Sequence, residues 1–179
     1  MAGVNGRVPL SALDLLGLAD QRKVARLDLA EAGYTGVVYV CDLTAAQQQK
    51  IVATSRQGKR IRQNMKENWA EFDFSDLLEN AGAKFMEVCL VTDREGGATL
   101  ERAFAAAVDD EGGEAEWITF PASELVLMFD LMSEELKKPH LAREKLEQFP
   151  NAVTSLVIRT MKRISGMAED QVEEKKESS

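Results

Sequence analysis

FPNAVTSLVIRTMKRISGM, residues 149–167, is the stretch on which the reading of this chain turns. Pro150 keeps Phe149 out of helical geometry, so a helix arriving from upstream stops there. Asn151 is a good N-cap, and Gly166 supplies the left-handed residue expected just past a helix end. Between them Val153, Leu156, Val157, Met161 and Ile164 recur at helical spacing on one face. Arg159, Lys162 and Arg163 suit the negative C-terminal end of the helix dipole. A lone helix of this length is marginal in water, so the stripe must dock, either on its own domain or on another protein.

Working outward, a short helix from His140 to Gln148 leads into Pro150. Before it, Ser123 caps a helix that carries Leu125, Met128, Phe129, Met132 and Leu136 on one stripe. Methionines at 128 and 132 suit an adaptable binding groove, although the same stripe also fits a core. The candidate partner-binding residues are therefore Val153, Leu156, Val157, Met161, Ile164, Met128 and Met132. Beyond Met167, residues 168–179 have almost nothing to bury and are expected to form a flexible charged tail.

Toward the N-terminus, Ser11 to Leu16 is a short candidate helix ended by Gly17. In Lys23–Leu29, Ala25, Leu27 and Leu29 point one way and Arg26 and Asp28 the other, with Val24 breaking the alternation. Val37–Cys41 reads as the partner strand of a hairpin, which needs a packing surface to be stable. Thr44 and Gln47 match a capping box that opens a helix to about Gln57. Lys59, Arg60, Arg62 and Lys66 form a basic cluster that fits either a contact with phosphate or an acidic partner, or a solvated helix face balancing an acidic protein. Ser75 opens a further helix, which the period favours extending through the apolar run Phe85–Val91. A buried strand is the alternative there, and Gly82 weakens the helix. Leu100 to Val108 is another short helix, residues 109–116 are an acidic linker candidate, and Trp117–Phe120 is a short edge strand ending at Pro121.

The 179 residues, 45% hydrophobic, suffice for one domain with a sizeable core. The expected fold is mainly α (α+β): an N-terminal β-hairpin near 23–41 packed on a helical domain spanning 1–167, with the acidic tail disordered. A net charge of −8 argues against nucleic acid and anionic membranes as partners. Cys41 and Cys89 form no C-x-x-C pair and read as buried reduced thiols. No signal-peptide core and no run of roughly 18–20 apolar residues appears, so a soluble intracellular chain is expected. His140 is the one histidine, and no H-E-x-x-H, G-x-S-x-G, Walker or G-x-G-x-x-G motif is present. The acidic run Asp109–Glu116 lacks EF-hand spacing. No catalytic, cofactor-binding or metal-binding residues are assigned, and an enzyme is not expected.

Three stretches carry a resemblance: VYVCDLTAAQQQKI (38–51), FMEVCLVTDREGG (85–97) and LEQFPNAVTSLVIRTMKRISGMAEDQVEEKKESS (146–179). A valine-rich strand ending in "LTA", an acidic glycine turn, and a Pro-Asn helix ending in "SG" before a charged tail resemble the tail assembly chaperones of long-tailed bacteriophages or prophages. The resemblance covers about residues 23–95 and 140–179; residues 96–139 match no part of it and read as an insertion. It implies a chaperone that coats the tape measure protein, brings tail tube subunits, works in the host cytoplasm and is absent from the finished virion. It also implies a longer form made by programmed frameshift, with which Glu174-Lys175-Lys176 is compatible. A structural minor tail or connector subunit is the competing reading.

Overall fold

Strand β1 (Gln21–Asp28) and strand β2 (Val37–Cys41) pair antiparallel, from Val24 opposite Cys41 to Asp28 opposite Val37. The computed structural model describes residues 9–56, 74–109 and 111–167. In it the hairpin is not an appendage of a helical domain, and the expected mainly helical fold is overturned. Strands drawn from the length of the chain join it in an antiparallel sheet: β3 (Leu90–Asp93), β4 (Ile118–Pro121) and β5 (Leu125–Leu127), in the order β4-β1-β2-β3-β5. The protein is an α+β fold in which residues 96–139, read as an insertion, supply both sheet edges.

Both faces of the sheet are covered, which is why the strands were hard to read. Leu27, Val40 and Leu90 face a layer formed by α3 (Phe74–Cys89), α6 (Pro139–Glu147) and α7 (Asn151–Ile164), with Phe85, Met86, Leu146, Val157 and Met161 at its heart. Val24, Tyr39, Cys41, Val91, Ile118 and Phe120 face the other way, onto Leu100 and Phe104 of α4 (Ala98–Ala106). Val24 departs from the simple alternation because it serves this second layer. A strand buried on both faces shows no polar–apolar alternation. The run Phe85–Val91 accordingly splits, helical through Cys89 and extended from Leu90.

Two further readings are corrected. Ser123 caps no helix: it lies in a 3-10 turn (Ala122–Glu124), Leu125 belongs to β5, and α5 (Met128–Leu136) begins only after that strand. Three strand residues are too few to display a period. On α7 the N-cap position is Pro150, whose carbonyl accepts from the N–H groups of Val153 and Thr154, and Asn151 is already helical. α2 (Ala45–Arg56) does open on the Thr44–Gln47 capping box, with reciprocal bonds of 3.0 and 3.2 Å. The basic cluster Lys59–Lys66, the helix stop at Gly58 and the tail after Met167 lie outside the described residues.

Glycines fix two close approaches. Gly82 costs α3 about 1 kcal/mol of helix propensity against alanine. A Cβ there would stand 3.2 Å from Thr154 Cγ2 of α7, so its absence lets the two helices meet. Gly97, at the start of α4, has φ +101°, and a Cβ would lie 3.2 Å from Tyr39 Cε2. Gly97→Ala is expected to destabilise by about 1–2 kcal/mol from the left-handed backbone alone, visible as a lower melting temperature. An unchanged melt would show that the turn relaxes freely.

Candidate partner-binding site

The seven candidate contact residues sit inside the domain. Val153, Leu156, Val157, Met161 and Ile164 are buried on α7, with Val157 and Met161 at 0% exposure. Met128 and Met132 on α5 are half-buried and pack against the same cluster. In this conformation the α7 stripe is core and offers no free surface.

The apolar surface that is free lies elsewhere. Ser11 N-caps helix α1 (Ala12–Ala19) in a capping box: its N–H and Oγ–H donate to Asp14 Oδ2 at 2.8 and 2.7 Å, and Asp14 N–H returns to Ser11 Oγ at 3.2 Å. These bonds hold the Asp14 carboxyl below the usual carboxylate range, the Ser11 side chain contributing most. The helix runs through Gly17 to a C-cap at Asp20, whose carbonyl accepts from Ala122 N–H at 2.7 Å and ties the base of α1 to the end of β4. None of its residues is buried. Leu10, Leu13, Leu15, Leu16 and Leu18 are all more than half exposed, Leu13 at 78%.

At 3.6 residues per turn, Leu13 and Leu16 stand about 60° apart on one side, and Leu15 and Leu18 about 60° apart on nearly the opposite side. A helix that is apolar all round is normally enclosed. Here nothing encloses it among the described residues. The sequence carries the signal, five leucines within residues 10–18, which form no single one-faced stripe.

A second surface feature is a shallow cleft of about 310 Å³ between the end of α4 and the turn at 112–115, lined by Arg26, Glu101, Phe104, Val108, Glu114 and Ala115 among others. Arg26 and Glu101 of its lining are held in one bonded group with Tyr39. Arg26 Nε donates to Glu101 Oε1 at 2.8 Å, and Tyr39 Oη–H donates a short bond to the same oxygen. Both bonds lower the Glu101 pKa, that from Tyr39 first, while burial and then the Glu101 bond raise that of Tyr39. Asp109 Oδ1 accepts from Glu111 and Gly113 N–H groups and closes the neighbouring turn. No buried side-chain polar atom among the described residues lacks a partner.

The thiols are also quiet. Burial pushes Cys41 up to about 11 and Cys89 well above its ordinary value, so both are protonated at neutral pH. His140 is exposed near the start of α6. Among the described residues no group of three or more His, Cys, Asp or Glu is placed to hold a metal, and no helix is long and apolar enough to cross a membrane. Comparison with family models, curated proteins and solved structures gives no match for this chain.

Proposed function

We propose that this protein is a tail assembly chaperone of a long-tailed phage or prophage, acting by reversible binding rather than by chemistry. The observation that carries the reading is α1: a leucine-covered helix that contributes no residue to either core cluster of the described residues. Exposed apolar surface of this kind marks a protein-interaction site. The tape measure protein, a long amphipathic helical chain that would aggregate bare, is the proposed main partner. Tail tube subunits and a frameshifted longer form are the others. The motif resemblance over residues 38–51, 85–97 and 146–179 points the same way. Contacts made through one short helix suit release as the tube closes, since a small interface of a few anchors dissociates readily.

Co-expression with the tape measure protein tests the reading. The tape measure protein is expected to stay in the supernatant, bound to this chain, and to pellet without it. Mass spectrometry of purified particles is expected to find no stoichiometric copy. A stoichiometric copy in mature particles would favour the competing minor tail or connector subunit and end the chaperone reading.

A further inference from the structure

We draw no further inference here: the strongest candidate, the exposed leucine surface of helix α1 outside both core clusters, carries nothing beyond the reading already given because nothing in the structure shows what covers it.

Discussion

Leu156→Asp is expected to leave no stably folded protein. Leu156 is 7% exposed within the layer that α7 forms with α3 and the sheet, beside Phe85, Val157 and Met161. An aspartate there must either bury an unpaired charge or be protonated at a cost, and it also leaves a cavity. The milder Leu156→Ala should lose about 2–5 kcal/mol out of a total of about 5–15. For a chain of this size that lowers the melting temperature by roughly 5–15 °C. Circular dichroism melts and gel filtration of both variants decide the matter. A Leu156→Asp protein that melts like wild type, yet no longer captures its partner, would make the α7 stripe a detachable contact surface rather than core.

Asp93→Ala should be the most damaging polar substitution in the second layer. Asp93 is 4% exposed at the end of β3, and its carboxylate takes the place of a helix cap for α4. Oδ1 accepts from the N–H groups of Glu95 and Gly97 at 2.7 and 3.0 Å, and Oδ2 from that of Leu100 at 2.7 Å. Bonds to a charged acceptor contribute about 1.5–3 kcal/mol each, and the alanine leaves buried donors unpaired, so a loss on the order of 3–5 kcal/mol is expected. Asp93→Asn keeps Oδ1 but sets an amide N–H₂ against the Leu100 N–H, and should fall between.

Acid gives the same site a signature. Burial raises the Asp93 pKa, but the N–H groups of Leu100, Gly97, Glu95 and Thr99 together outweigh it and hold it below the ordinary 3.8. A carboxyl depressed in the folded state contributes fully above its unfolded value and loses that contribution as pH falls through the folded one. Wild type should therefore lose more stability between pH 7 and pH 3 than Asp93→Ala does. Parallel acid profiles in denaturant melts would contradict the assignment.

Local signals in this chain were legible where one interaction dominates. Thr44 with Gln47, the pairing of the β1 and β2 segments, and the edge strand before Pro121 each rest on neighbours in sequence. The sheet as a whole was not legible. β3 hides inside an apolar run because both its faces are buried, and β5 is shorter than any period that could announce it. That the α7 stripe packs as core was illegible for a related reason. The α7 stripe and the α1 leucines are both apolar helical surface in the sequence, and only packing tells that the first is consumed within the domain and the second is left over. Asp93 was visible as a turn residue, but its service to α4 depends on Gly97 turning the chain back over it.

The pairing of Gln21 with Pro121 has a bearing on how the molecule is made. A ribosome adding about 5–20 residues per second leaves β1 waiting several seconds for the strand that seals its outer margin. Until then Val24 and Cys41 have no Ile118 or Phe120 to lie against, and that apolar surface is expected to stay exposed on the nascent polypeptide. A protein proposed to shelter another from aggregation thus passes through a vulnerable infancy of its own, and stalling translation before residue 121 should yield an insoluble fragment.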